Sequence, residues 1–271
     1  MNKIWQSPKY LPYVQPTLTD AILADAEKQI GYKLPAEYID LLMIQNGGYI
    51  RYTIKETVHS LIAGIGPYYP SITNLPDWSE SEDWGLSFKL VGLIPFDGDG
   101  HWHLCFDYRN QPVEPKITLI DIECDREELI AKNFKEYLSL LVMQVEDDYV
   151  IETSLSVDAA VEQVATISKA AIAKIDFEAP DAWAHGYVIY RGKYKGKWVW
   201  ISPNKAPSGF VRSDDKRYDE LKSQMETSDC RFPELPDNAL LISTSDDKTT
   251  KALLKLLTEN GLKIAALTTY L

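Results

Sequence analysis

Residues 92–107 decide the fold of the first half of this chain, and they read Gly92-Leu-Ile-Pro-Phe-Asp-Gly-Asp-Gly-His-Trp-His-Leu-Cys-Phe-Asp107. The apolar run from Leu90 to Phe96 is almost unbroken, which is typical of a strand covered on both faces. Residues 97–100 alternate Asp with Gly, and both residue types tolerate the positive φ angles of a hairpin turn. Apolar and polar residues then alternate up to Asp107, which predicts a second strand with one apolar and one polar face.

The polar residues of this predicted hairpin are the first candidate functional residues, and they are Asp97, Asp99, His101, His103 and Asp107. Two interpretations are open: a metal site built from imidazole and carboxylate ligands, or a structural turn whose carboxylates are solvated or contact a partner. The later ligands and the closing Glu of a calcium loop are absent, and no nucleophile motif accompanies the histidines. We therefore expect no metal, no cofactor and no catalytic residue here.

A Trp-bearing loop between residues 67 and 85 is the second candidate surface. It combines acids with aromatic rings, namely Asp77, Trp78, Glu80, Glu82, Asp83 and Trp84. Aromatic residues commonly anchor protein interfaces, and acidic residues attract a basic partner. The alternative is that both tryptophan rings fold back over the sheet. We include all six residues among the predicted partner-binding residues, together with the five of the hairpin.

The negative charge is confined to the first half of the chain. The 271 residues carry a formal net charge of −12. Residues 1–154 contain 12 Lys and Arg against 24 Asp and Glu, whereas residues 155–271 contain 16 of each kind. Such a charge repels phosphate, which argues against nucleic acid and favours a basic protein partner. An acidic surface that serves only solubility remains an alternative.

Helix signals flank the predicted strands of the first half. A helix capped by Thr17 or Thr19 is expected to end at Gly31, and a second helix begins at Leu34-Pro35. The pattern over residues 126–143 predicts a third, amphipathic helix with Leu129, Ile130, Phe134, Tyr137, Leu138 and Leu141 on one face. A charge cluster at residues 146–148 marks the expected boundary, so the predicted domains are 1–150 and 151–271.

The second half predicts a smaller α/β domain that ends in a strand, a helix and a strand, which normally pair in parallel. Residues 191–200 interleave basic and aromatic side chains. This composition is found in single-stranded nucleic-acid sites, but a β-hairpin with Lys195-Gly196 at its turn explains it equally, and we expect no nucleic-acid partner. The three cysteines have no metal spacing, and no segment is apolar enough for a signal peptide or a membrane span. We therefore expect a soluble cytoplasmic protein with reduced thiols.

The order of the motifs resembles a known family. Leu34-Pro35, Tyr38, Leu41-Leu42 and Asn46-Gly47-Gly48 are followed by Ile94 to Gly100, by Asp107, and then by Asn133-Phe134 and Tyr137-Leu138. Over about residues 17–145 this order is similar to the SUKH superfamily, specifically its Smi/Knr-like group. The resemblance implies an α+β fold in which a curved, mainly antiparallel sheet is flanked by helices.

The resemblance also implies a binding role without catalysis. Bacterial members are commonly immunity proteins that cover secreted polymorphic toxins, and fungal relatives regulate cell-wall synthesis or act as signalling scaffolds. We expect an immunity protein whose partner is a basic toxin domain, with the regulatory scaffold as the alternative. The second half matches no family that we know.

Overall fold

The computed structural model describes residues 4–74, 78, 85–145, 148–171, 186–225 and 227–271. The chain divides into two compact units, residues 1–144 and 145–271. Each unit has a main hydrophobic core and a smaller cluster of its own. Within the described residues, no helix combines the length and the hydropathy that crossing a membrane requires.

The described residues of the first unit form three helices, a short 3-10 turn at Leu11–Tyr13, and nine strands. The helices are α1 Asp20–Ile30, α2 Ala36–Ile44 and α3 Phe134–Leu140. The strands are β1 Lys9–Tyr10, β2 Gly48–Tyr49, β3 Tyr52–Ile54, β4 Leu61–Ile62, β5 Leu93–Gly98, β6 Trp102–Asp107, β7 Lys116–Asp121, β8 Arg126–Ala131 and β9 Leu141–Met143.

Strands β5 to β8 form an antiparallel sheet in sequential order, while β2 pairs with β4 and β3 with β9. The prediction of a mainly antiparallel sheet with helices is confirmed. Phe96 is the extra residue of a bulge, because Pro95 pairs with Cys105 and Asp97 with the adjacent Leu104. One face of β6 enters the main core through Leu104 and Phe106. The other face is also buried, contrary to the polar face that the alternation predicts, because Cys105 belongs to the smaller cluster.

Local sequence explains the first two helices. The Thr19 hydroxyl accepts a hydrogen bond from the Ile22 amide at the start of α1, and Gly31 ends the helix at φ 79°. Pro35 precedes α2 with φ −57°. Their buried residues, including Ile30, Tyr38 and Leu42, pack against the sheet in the main core.

The predicted helix over residues 126–143 is wrong. The structure has strand β8, helix α3 and strand β9 in its place. Asn133 begins α3, since its side chain accepts a hydrogen bond from the Glu136 amide at 2.9 Å. The residues before Asn133 pair with β7, from Asp121 opposite Arg126 to Ile117 opposite Ala131. Pairing across the sheet therefore overrides the helical spacing of the apolar residues.

The second unit is built on five antiparallel strands in the order β11-β12-β16-β10-β17. Its strands are β10 Tyr149–Glu152, β11 Tyr190–Tyr194, β12 Lys197–Pro203, β13 Lys205–Pro207, β14 Gly209–Phe210, β15 Ser228–Cys230, β16 Leu240–Thr244 and β17 Lys263–Ala266. Its helices are α4 Val157–Ala171, α5 Tyr218–Leu221, continued by a 3-10 turn at Lys222–Met225, and α6 Asp247–Glu259, and a last 3-10 turn follows at Leu267–Thr269.

Helices α4 and α6 cover one face of this sheet, where Val164 and Leu253 pack with Val199 and Ile242. Val150 and Leu241 lie on the opposite face in the smaller cluster. The expected parallel pairing of the last two strands is wrong. Strands β16 and β17 run in the same direction, but β10 lies between them and pairs antiparallel with both.

Candidate functional site

Asp97 is a structural carboxylate of the β5–β6 hairpin. Its side chain is 8% exposed, and its Oδ2 lies 2.6 Å from Nδ1 of His59, which is itself 1% exposed. The other ring nitrogen of His59 lies 2.6 Å from the buried Tyr137 hydroxyl. Asp97 Oδ2 also accepts hydrogen bonds from the Ser60 and Leu61 amides. This carboxylate therefore connects three segments of the first unit, which is contrary to a solvated turn residue.

Asp99 is the exposed carboxylate of the same turn. Its Oδ1 accepts hydrogen bonds from the amides of His101 at 2.9 Å and Trp102 at 3.2 Å. The His101 bond is the main reason why the pKa of Asp99 lies below its ordinary value. Asp99 therefore keeps a negative charge at the tip of the hairpin at neutral pH. The predicted turn at residues 97–100 is confirmed, with positive φ at Gly98 and Gly100.

His101 joins this turn to the next one along the sheet. Its Nδ1 lies 2.7 Å from a carboxylate oxygen of Glu123, and both side chains are about two-thirds exposed (64% and 68%). The His101 carbonyl also accepts a hydrogen bond from the Ile122 amide at 2.9 Å. The β5–β6 and β7–β8 turns are consequently neighbours at one end of the sheet.

His103 and Asp107 are buried, so the shared strand face that the sequence predicts does not present them to solvent. Asp107 accepts hydrogen bonds from the Arg109 guanidinium at 2.9 and 2.7 Å and from the Thr118 hydroxyl at 3.1 Å. Burial raises the pKa of Asp107, but the bonds and charge of Arg109 outweigh burial and hold this pKa below its ordinary value. Arg109 also pairs with Glu127 at 2.5 Å.

Trp78 is buried at 8% exposure and packs in the smaller cluster with Leu90, Leu93, Cys105 and Ile120. Its ring also makes an edge contact with His103, with the ring centroids 5.8 Å apart. For this tryptophan the alternative of folding back over the sheet is correct. The other predicted residues of the loop, Asp77, Glu80, Glu82, Asp83 and Trp84, lie outside the described residues.

The candidate site that the structure assembles is an acidic turn pair, which we define as residues 97–101 together with residues 121–128. Its exposed carboxylates are Asp99, Glu123, Asp125, Glu127 and Glu128. Its basic residues are His101 and Arg126, which pair with Glu123 and Glu128, respectively. The second turn is not identified from the sequence, because the apolar spacing predicts a helix from Arg126 onward. Asp121 followed by Cys124-Asp125 between two apolar runs is the turn signal that could have found it.

The described residues contain no group of three or more His, Cys, Asp or Glu side chains placed to hold a metal ion. At the hairpin, Asp97, His103 and Asp107 have the structural contacts given above. The side chains that remain exposed there are the carboxylate of Asp99 and the imidazole of His101.

The basic and aromatic segment of the second unit is a β-hairpin. Lys195 and Gly196 occupy its turn with φ angles of 51° and 79°, and Tyr194 pairs with Lys197. Val199 and Ile201 enter the core, whereas the half-buried Trp198 and Trp200 alternate with them. The Lys193 ammonium lies 4.5 Å from the centroid of the Trp198 ring. The interleaving of charges and rings thus has a structural explanation.

The first unit is an α+β domain with two acidic turns as neighbours at one end of its sheet. Residues 17–140 match the model of the SMI1 / KNR4 family (SUKH-1), which confirms the resemblance read from the sequence. This part of the chain is a SUKH-1 domain, and the match does not extend into the second unit. The comparison with curated proteins and the comparison with solved structures found no match. Proteins of this family are known as immunity proteins or cell-wall regulators, are generally not catalytic, and commonly bind protein partners such as toxins.

Proposed function

We propose that the SUKH-1 domain neutralises a polymorphic toxin by covering it, with the acidic turn pair as the contact surface. The observation that supports this proposal is the clustering of exposed carboxylates from two turns that are 20 or more residues apart in sequence. The basic residues within the turn pair, His101 and Arg126, are already paired with carboxylates. A surface of this charge attracts a basic protein and repels nucleic acid.

In the proposed mechanism, different interactions control the association rate and the dissociation rate of the complex. Long-range attraction between the acidic turn pair and a basic face raises the association rate, and this effect weakens as salt screens the charges. Contacts made after docking determine the dissociation rate. No chemical step is required, because occlusion of the toxin's own site is sufficient.

The proposal is tested with the reading frame that lies beside the gene for this chain. If the proposal is correct, that frame encodes a toxin that inhibits growth, and co-expression of the full chain relieves the inhibition. Asp99→Asn combined with Glu123→Gln is expected to lower the association rate about three- to tenfold at low salt, and the difference should shrink in high salt. Stopped-flow mixing of the purified chain with the purified toxin measures the association rate at low and at high salt.

The matched control is Asp25→Asn combined with Asp40→Asn, which removes the same charge from exposed positions on α1 and α2. Its association rate should remain within about twofold of the wild-type rate. Equal losses for both double variants would reject the acidic turn pair as the contact. A neighbouring frame without a toxin, or a toxin that the chain does not neutralise, would favour the alternative, a regulatory scaffold of the cell-wall synthesis type.

A further inference from the structure

A pocket of about 280 Å³ opens beside the β5–β6 turn. One wall contains Tyr69, Pro70, Ser71 and Asn74, and the other contains Asp97, Gly98, Asp99 and Gly100. His103 lines the pocket as well. All of these residues belong to the first unit, so the pocket is a feature of the SUKH-1 domain.

The charge of this pocket is negative. Two carboxylates line it, and none of the described lining residues is Lys or Arg. Asp97 is held in place by His59 and by backbone amides, so its position does not depend on a ligand. A preorganised acceptor of this kind binds a cation without the entropic cost of immobilising its side chain.

The His103 ring adds a nitrogen acceptor to the lining of this pocket. His103 is 8% exposed, and one ring nitrogen bonds to the backbone of Gly100. Burial lowers the pKa of His103, so the ring is neutral near pH 7. A neutral ring that donates to a carbonyl presents its other nitrogen as an acceptor.

Tyr69 supplies an aromatic ring at the mouth of the pocket, where it is 65% exposed. Burial, the neighbouring Tyr13 and the charges of Asp97 and Asp99 raise the pKa of Tyr69. The two carboxylates are therefore close enough to act on the ring electrostatically. An exposed aromatic ring near carboxylates is a favourable environment for a planar cation.

We propose that this pocket receives one arginine side chain of the protein partner. A guanidinium offers five N–H donors and a flat face, which match the carboxylates, the imidazole nitrogen and the Tyr69 ring. A free amino acid fits less well, because no described lining residue is a cation that would pair with its α-carboxylate. The inference rests on the proposed function, since it assigns the residue type that the toxin inserts.

The experiment uses the full chain, labelled with ¹⁵N, and N-acetyl-arginine amide as the probe. We expect saturable shifts of the Gly98, Asp99 and Gly100 amide signals with a dissociation constant on the order of 1–10 mM. N-acetyl-glutamine amide, which is neutral, should cause no saturable shift. Asp99→Asn, which keeps an acceptor for the turn, should weaken binding about tenfold.

Asp40→Asn is the matched control, because Asp40 is exposed on α2, lies outside the acidic turn pair and does not line the pocket. Its affinity for the probe should be unchanged. Three results would contradict the proposed arginine pocket. They are equal weakening of probe binding by both variants, signal shifts spread over all exposed carboxylates, and tighter binding of free arginine than of the amide. Because no toxin is present, such a result leaves toxin neutralisation intact. A failed neutralisation assay, conversely, does not alter the probe measurement.

Discussion

Three buried polar residues, His59, Asp97 and Tyr137, determine how the acidic turn is held. The imidazole bridges the carboxylate and the phenol with two contacts of 2.6 Å. An Asp, a His and a Tyr in series are also acid–base groups, but His59 is 1% exposed and Tyr137 is fully buried. A substrate therefore cannot reach the imidazole or the phenol. We therefore assign it to the support of the turn on which Asp99 lies.

Asp107→Asn is expected to change the pH dependence of stability. The pKa of Asp107 is lowered in the folded protein, so its contribution is present above the ordinary Asp pKa and is lost as the pH falls through the folded value. At pH 7 the variant should lose about 1–3 kcal/mol of unfolding free energy, because Arg109 and Thr118 lose a charged partner. Hydrogen exchange of peptides from β6 and β7 measures this loss.

Below about pH 4 the difference between the Asp107→Asn variant and the wild type should narrow, since the wild-type carboxylate becomes protonated. Comparison of the two proteins at the same pH cancels the titration of the other acids. A difference that stays the same at pH 3 and pH 7 would show that the charge of Asp107 does not contribute to stability.

At the scale of elements, β8 and α3 show how local and non-local forces compete. The apolar residues from Leu129 to Leu141 suit a continuous helix by their spacing. Strand pairing with β7 removes the first part from that helix, and Asn133 then caps the remainder. The result places Glu127 beside Arg109 and brings Tyr137 to His59. An uninterrupted helix would have produced neither arrangement.

Tyr137→Phe tests the connection between α3 and β5. The variant keeps the ring in the core but leaves Nε2 of His59 without its partner, which should cost about 1–3 kcal/mol. Tyr32→Phe is the control, because the half-buried Tyr32 stacks on Tyr108 at 4.3 Å and a phenylalanine ring can do the same. We expect a change below about 0.5 kcal/mol for the control.

Hydrogen exchange of peptides from α3 and β5 reports the local opening free energy in both variants. Similar protection in Tyr137→Phe and Tyr32→Phe would mean that the hydroxyl bond to His59 adds nothing to stability. If only Tyr137→Phe loses protection, the result supports a structural role for the network of His59, Asp97 and Tyr137.

At the scale of the whole molecule, charge and family membership coincide. The part of the chain that matches SUKH-1 lies within the acidic half, and the acidic turn pair lies within the match. The second unit has balanced charge over residues 155–271 and a sheet of its own. We infer that the two units have separate tasks, and we place partner recognition in the first.

Residues 1–144 expressed alone should fold. The main core and the smaller cluster of this unit draw all their residues from within it, and its length suffices for an independent core. A dispersed amide spectrum and cooperative thermal unfolding are the expected observations. The control fragment 1–130 lacks α3 with its buried Phe134 and Tyr137, and we expect it to be unfolded. A disordered 1–144 fragment would contradict the division of the chain.

Features that depend only on neighbouring residues can be read from the amino-acid sequence. The cap at Thr19, the stop at Gly31 and the turns at residues 97–100 and 195–196 follow from local hydrogen bonds and φ preferences. The ordered motifs of the first half also identified the family, and Asp99 and His101 were correctly expected at the surface.

Which polar side chains of the hairpin are exposed and which are buried depends on the assembled fold. Asp97, His103 and Asp107 have the same residue types as their exposed neighbours, yet contacts with His59, the smaller cluster and Arg109 bury them. The pairing of the two acidic turns and the burial of Trp78 likewise depend on residues far apart in sequence. The physical reason is that burial is a property of the assembled sheet, whereas residue type and local spacing are properties of the chain.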